Sequence, residues 1–386
     1  MLPTKAADAK LTTSTCRTPA IITSDTISKV LRQVRAQNLL ECKLPTDAPV
    51  ALFYDLDVFD DTLDRLKEAF GPRFYHCIAV KSCSHGPILR DVYRRHGVGV
   101  EAASMGEVML GLEAGFEPSQ MVFDSPCKTH RELAWALEQR IPCNLDNFAE
   151  LGRAATIMQE LGRAEGAGDA STLVGLRVNP LVGAGTIAAL SVSTADSKFG
   201  IPLSDLDAIL AAYEAHPWLN SVHVHVGSGG MATAVLLAGV KAVVGVAEAV
   251  NARWRARLAT DEAFAATHAG RPSQVHCLDI GGGLPVNYWS DSAECSEPQE
   301  VVSFGAYAEE LRAEVPALFL DPATEGGSFT RVITEYGQSA TAKAGFLVSE
   351  VEFVKGPPER PIFMAHFGAD TNVRQVQQLH TIIRHS

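Results

Sequence analysis

The chain lacks every cysteine spacing that would build a zinc site or a redox pair. Its cysteines, Cys16, Cys42, Cys77, Cys83, Cys127, Cys143, Cys277 and Cys295, are scattered, with no C-x-x-C among them. In a chain of 386 residues such thiols read as reduced, mostly buried small hydrophobes, so a cytoplasmic setting is expected. Positive charge is also scarce. Lys and Arg number 33 against 45 Asp and Glu, a formal net charge of −12, which argues against nucleic acid or an anionic membrane surface as partner. No apolar run approaches the roughly 20 residues of a membrane-spanning helix. Met1 to Cys16 has no apolar signal-peptide core. It is rich in Thr, Ala and Lys, as organelle leaders are, but Asp8 and the lack of an amphipathic pattern favour a poorly ordered tail. The 12 histidines show no metal-ligand spacing, so no metal is expected.

What is present is a rhythm. From about residue 73, short apolar or β-branched runs alternate with longer helical patterns, which predicts parallel strands joined by helices. The expected strands are Phe74–Lys81, Val98–Ala103, Met121–Asp124, Ile141–Leu145, Leu173–Asn179, Ser221–Val226, Gln274–Ile280 and Arg331–Glu335. Expected helices are Met105–Ala114, His130–Arg140, Phe148–Leu161, Leu203–His216, Ala232–Arg253 and Ser303–Val315. A series of this length points to a closed barrel over an open doubly wound sheet. The fold class is therefore α/β, a (β/α)8 TIM-type barrel with a partial, truncated C-terminal β domain. The expected divisions are an N-terminal extension (1–48), the barrel (49–338) and a partial β domain with a divergent tail (339–386). Pro49–Phe53 and Ala340–Lys355 read as β-structure outside the barrel. Ala164–Ser171 reads as a small-residue loop, Ser290–Gln299 as a solvated excursion and Thr371–Ser386 as a short polar helix.

Chemistry in such barrels sits at the C-terminal ends of the strands, and informative residues fall there repeatedly. The first strand closes on Lys81. A lysine ending an apolar strand is costly unless used, because burial disfavours its charge, and the same desolvation suits it to form an imine with an aldehyde cofactor. Taken alone, a lysine snorkelling at a strand exit is the commoner case. The sixth strand runs into His225-Val226-Gly227-Ser228-Gly229-Gly230 and the seventh into Gly281-Gly282-Gly283. One glycine turn is weak, whereas two on consecutive strands, with the Ser228 hydroxyl, suit a phosphate. The eighth ends at Glu335, placed to hold a proton on a pyridine nitrogen, although a single glutamate is more often a surface residue. Cys127 reads as a loop thiol, and Asp146 as an N-cap for the next helix.

Jointly, these motifs resemble the ornithine/diaminopimelate/arginine decarboxylase family, the fold-type III pyridoxal 5'-phosphate enzymes related to alanine racemase. The similarity runs from about Phe53 to Lys355. It implies Lys81 as the Schiff-base lysine, Glu101 as an acidic residue near the cofactor and Arg177, in Leu176-Arg177-Val178-Asn179-Pro180, as an organiser of the site. It likewise implies His225 stacked on the cofactor ring, Ser228, Gly281, Gly282 and Gly283 on the phosphate, and Glu335 on the pyridine nitrogen. Ser197-Lys198-Phe199-Gly200 is a further family-like element. An acidic partner keeps the pyridine protonated, which favours decarboxylation over racemisation. The resemblance thus implies a carboxy-lyase acting on a small amino acid, basic or diaminopimelate-like, and a homodimer. Two departures stand out. Gln338 stands where the family carries arginine in its Glu-Pro-Gly-Arg run, and neither the family's Cys-centred acidic motif nor its later tyrosine follows. These departures support an alternative, a catalytically impaired or regulatory paralogue that still binds the cofactor.

Overall fold

The computed structural model describes residues 20–165, 172–183, 193–194, 196–228, 231–286 and 302–368. The expected tail at Met1–Cys16, most of the Ala164–Ser171 loop, the Ser290–Gln299 excursion, the Thr371–Ser386 helix, Gly229 and Gly230 lie outside the described residues.

Strand β1 (Val50–Tyr54) precedes the barrel. The barrel opens with β2 (Phe74–Ala79), β3 (Gly99–Ala102), β4 (Met121–Phe123), β5 (Cys143–Leu145) and β6 (Val174–Asn179). After a two-residue strand, β7 (Ile201–Pro202), it continues with β8 (Ser221–His223), β9 (Cys277–Asp279) and β10 (Arg331–Tyr336). Parallel pairing runs from β2 through β6 to β8, β9 and β10, then returns from β10 to β2. All eight expected strands are therefore present and the sheet has no edge. Strand β7 only extends the end of β6.

Alternation along the strands sorts the side chains into two cores. Tyr75, Cys77, Val122, Leu173, Cys277 and Ile333 fill the barrel interior. Ile78, Val100, Leu176, Val222, Leu278 and Val332 face outward and join the larger core beneath the helices. Those helices begin where a short polar side chain can take a free backbone N–H. Asp55 accepts two at its N-cap, and Ser104, Thr129, Asn147 and Ser303 each accept one. Asn147, not Asp146, caps the helix Phe148–Glu160. The expected capping role of Asp146 is thus corrected, and its carboxylate instead accepts from Gly200 N–H at 2.9 Å.

The helix Thr233–Thr260 corrects another expectation. It is long and apolar enough to cross a membrane, with an 18-residue window of mean hydropathy 1.8. A stripe including Leu236, Val240, Val243, Ala247 and Val250 nonetheless packs into the outer core, so its apolar character belongs to barrel packing. Two helices that the strand–helix rhythm did not foretell, Ser24–Ala36 and Leu56–Phe70, precede β2. The second buries Val58, Phe59, Leu63, Leu66 and Phe70 along one stripe.

The Ala340–Lys355 run is not one β-segment. A short helix, Gln338–Thr341, is followed by β11 (Gly345–Ser349), which pairs antiparallel with β1. Then β12 (Val351–Lys355) and β13 (Ile362–Ala365) form a separate antiparallel hairpin. The C-terminal strands thus lie in sheets distinct from the barrel.

Candidate active site

Every barrel strand delivers a polar side chain at or just beyond its C-terminal end. These are Lys81 after β2, Glu101 on β3, Asp124 after β4, Asn144 on β5, Arg177 on β6, His223 on β8, Asp279 on β9 and Glu335 on β10. All are buried except Lys81. Their contacts cross the lumen. Asn144 Nδ2 donates to Asp279 Oδ2 at 3.1 Å, although β5 and β9 are not neighbours. Arg177 Nη1 donates to Asp124 Oδ2 at 3.0 Å. His223 places Nδ1 3.7 Å from Asp124 and Nε2 3.3 Å from Glu335. Such pairs can meet only inside the barrel, so these groups form one polar layer above the apolar interior.

Lys81 sits in the turn Val80–Ser82, with Nζ 2.5 Å from Glu101 Oε2. Its side chain is 52% exposed whereas that of Glu101 is 1% exposed. The expected loss of charge by desolvation does not follow. Burial lowers the Lys81 pKa, but Glu101, Glu335 and Asp124 outweigh it and the net shift is upward. Burial acts most strongly on Glu101 and pushes its carboxyl up to about 8, against the pull of Lys81. Asp124 goes the other way. Burial alone would raise it, yet Arg177 and His223 hold it well below the usual carboxylate range. Asp279, buried and beside Glu335, is pushed well above that range. The layer therefore holds carboxyl groups of opposite protonation tendency.

At the rim, His225 accepts from Gly282 N–H through Nδ1 at 3.2 Å, which leaves Nε2 to donate to Ser228 Oγ at 3.2 Å. Burial, together with the positive charges of Arg177 and Lys81, holds His225 well below its ordinary pKa of 6.5, so the ring is neutral. The glycine turn is sterically required. Gly281 has φ +64, and a Cβ on Gly282 would lie 2.1 Å from the Glu335 carbonyl oxygen. Gly281 N–H donates to Asp279 Oδ1 at 3.0 Å. Two N–H groups expected for a phosphate, those of Gly281 and Gly282, thus already serve Asp279 and His225. Around Arg177, the Phe199 ring stacks at 4.5 Å from the guanidinium carbon, which brings the Ser197–Gly200 element to the site. Cys127 is exposed in the loop after β4.

The structure thus brings Lys81, Glu101, Arg177 and Glu335 into the lumen layer, and His225, Ser228 and Gly281–Gly283 onto its rim. Sequence reasoning did not single out Asp124, Asn144, His223 or Asp279 as site residues. The available signal was a polar residue at the end of an otherwise apolar strand, where burial without a partner is costly. Asp124, His223 and Glu335 also offer ligand atoms within 4.8 Å of one another, a spacing a cation could bridge. A cavity of about 550 Å³ opens near Glu214, Trp218 and Phe264, before β8 and so toward the opposite rim, and none of the site residues lines it.

The profile of the family described as pyridoxal-dependent decarboxylase, pyridoxal binding domain, matches residues 56–342. The diaminopimelate decarboxylase of Pseudomonas aeruginosa is 29% identical over 282 residues, 72% of this chain and 57% of that protein. The diaminopimelate decarboxylase of Haemophilus influenzae is 27% identical over 321 residues, 81% of this chain and 67% of its own length. The chain therefore spans between about half and two-thirds of these relatives. In fold it is similar to diaminopimelate decarboxylase from Helicobacter pylori complexed with L-lysine, at TM-score 0.68 and 23% identity, covering 89% of this chain and 75% of that one. It also matches lysine/ornithine decarboxylase complexed with putrescine from Vibrio vulnificus, at TM-score 0.65 and 18% identity, covering 94% and 81% of the two chains. With the family profile matched over most of its length, and a lysine, an imidazole and a carboxylate gathered at one end of a closed barrel, the chain belongs to the pyridoxal-dependent decarboxylase family and carries its pyridoxal-binding domain.

Proposed function

We propose that the chain is a pyridoxal phosphate-dependent decarboxylase of a small amino acid, with Lys81 as the covalent anchor of the cofactor aldehyde. The names of the relatives favour a diaminopimelate-like substrate over ornithine or arginine. One observation carries the reading: the Lys81 amine and the Glu335 carboxylate open into the same lumen, and both Glu101 Oε1 and Glu335 Oε1 are buried without a hydrogen-bond partner. Orphaned buried acceptors cost stability, and a ligand carrying N–H donors would satisfy them. The residues fit the cofactor by that test.

Pyridoxal phosphate, when bound, supplies an electron sink for the pair released as carbon dioxide leaves. The protein's own groups do the rest. Glu335 holds a proton at the pyridine nitrogen. Glu101 lies 2.5 Å from Lys81 Nζ, and burial pushes its carboxyl up to about 8, so it can take and return a proton there. The neutral His225 ring presents a flat apolar face, and the Ser228 hydroxyl is placed to meet the phosphate.

Purified protein incubated with pyridoxal phosphate and reduced with borohydride should carry the label on Lys81, and should release carbon dioxide from diaminopimelate. Label on another lysine would overturn the assignment. Labelled Lys81 with no release from diaminopimelate, lysine, ornithine or arginine would support the binding or regulatory paralogue instead.

A further inference from the structure

His223 has no role in the chemistry just described, yet it occupies the middle of the lumen layer. Its side chain is fully buried, and neither ring nitrogen makes a well-formed hydrogen bond. Nδ1 faces Asp124 Oδ1 at 3.7 Å and Nε2 faces Glu335 Oε2 at 3.3 Å. Asp124 gives its other oxygen, Oδ2, to Arg177. Four side chains from four strands therefore form one line across the barrel: Arg177, Asp124, His223, Glu335. Small adjustments of the ring would turn both close approaches into hydrogen bonds of ordinary length.

We propose that His223 is a positioning residue that bridges Glu335 and the Arg177–Asp124 ion pair through its two ring nitrogens, and so fixes the Glu335 carboxylate in one orientation within the lumen. Without such a tie the buried Glu335 would be held only by its hydrogen bond with Asp279, with other rotamers open to it. Tied, its orientation is set by the barrel frame through Arg177 on β6. The consequence for cofactor binding rests on the pyridoxal phosphate reading above, whereas the tie itself does not. The same three residues could instead ligate a cation. The Arg177 guanidinium, 3.0 Å from Asp124, already places positive charge beside that position, and like charges repel strongly in a buried site.

The test is a double-mutant cycle on the full chain with His223→Leu and Glu335→Gln, read in two ways. In cofactor-free protein, urea unfolding measures the coupling. Each single substitution should lower the folding equilibrium constant at least tenfold, and the double variant should match the worse single one. With pyridoxal phosphate added, His223→Leu should weaken binding about tenfold and move the cofactor absorbance in the direction seen for Glu335→Gln. In the Glu335→Gln background it should add less than twofold. His223→Gln, which keeps one donor, should recover most of the loss. Should His223→Leu fail to fold, His223→Phe, which keeps a ring but no donor, crossed with Glu335→Gln gives an equivalent cycle. Strictly additive effects, or Leu and Gln behaving alike, would overturn the proposal, as would a stoichiometric divalent metal in the purified protein. Coupling in urea without any uptake of pyridoxal phosphate would leave the tie standing and sink the cofactor reading. Normal uptake with no coupling would do the reverse.

Discussion

His76 on β2 points out of the barrel into the packing under the helices, where its Nδ1 lies 2.8 Å from Thr334 Oγ1 and its ring meets Phe70 edge-on at 5.4 Å. Burial, helped by nearby Lys67, lowers its pKa from 6.5 to about 4. The unfolded chain therefore binds a proton on this ring at higher pH than the folded one. Stability contributed by the neutral ring is complete above pH 6.5 and is lost as pH falls toward 4, by at most roughly 3 kcal/mol. Urea unfolding at pH 7 and pH 4.5 should show His76→Gln losing distinctly less stability on acidification than the parent, and equal losses would count against the assignment. Residues of this kind explain what a sequence hides. Lys81, His225 and Glu335 were legible because they end recognisable motifs. The direction of the Lys81 shift was not, since it depends on Glu101 lying 2.5 Å away, a contact made by the pairing of β2 with β3.

Consecutive strand–helix units are joined by a buried clip. Lys128, in the loop after β4, donates to the carbonyl oxygens of Ser125 and Asn144 at 2.7 and 2.8 Å and lies 3.0 Å from Glu150 Oε1. Glu150 Oε2 in turn accepts from Asp146 N–H at 2.7 Å. The clip thus fixes the ends of β4 and β5, from which Asp124 and Asn144 enter the lumen. Breaking a buried ion pair from one side leaves an uncompensated charge, so Lys128→Met should cost about 3–5 kcal/mol. Adding Glu150→Gln, which removes the charge but keeps the acceptor for Asp146, should restore more than half of that in denaturant unfolding. If it restores nothing, the charge pair is not the source of the cost. At this scale the strands were readable because each is a short buried apolar run. Their exits were less so: β8 leaves its ladder after His223 rather than continuing to Val226, because the chain turns at the rim to present His225. The helix Leu56–Phe70 has a clear apolar stripe, but it lies ahead of the first barrel strand and outside the β–α alternation that guided the reading.

The whole molecule joins a closed barrel to a C-terminal hairpin of very different character. Strand β11 is anchored through β1, and Asp55 N–H donates to Ala344 at 2.8 Å, so chain entry and exit are stitched together beside the barrel. Beyond it, every residue of β12 and β13 is exposed, including Phe353 at 63%, Val354 at 59% and Ile362 at 51%. None of these residues joins either buried core. Exposed apolar side chains on a two-stranded ribbon favour association and dye binding, while contributing little to the fold it is attached to. Phe353→Lys combined with Ile362→Lys should therefore reduce binding of a hydrophobic dye and concentration-dependent association in size-exclusion chromatography. The same change should move the unfolding free energy of the barrel by no more than about 0.5 kcal/mol. A marked fall in barrel stability would show instead that the hairpin is part of the same cooperative unit, and that the division read near residue 339 does not separate the folding of the two parts.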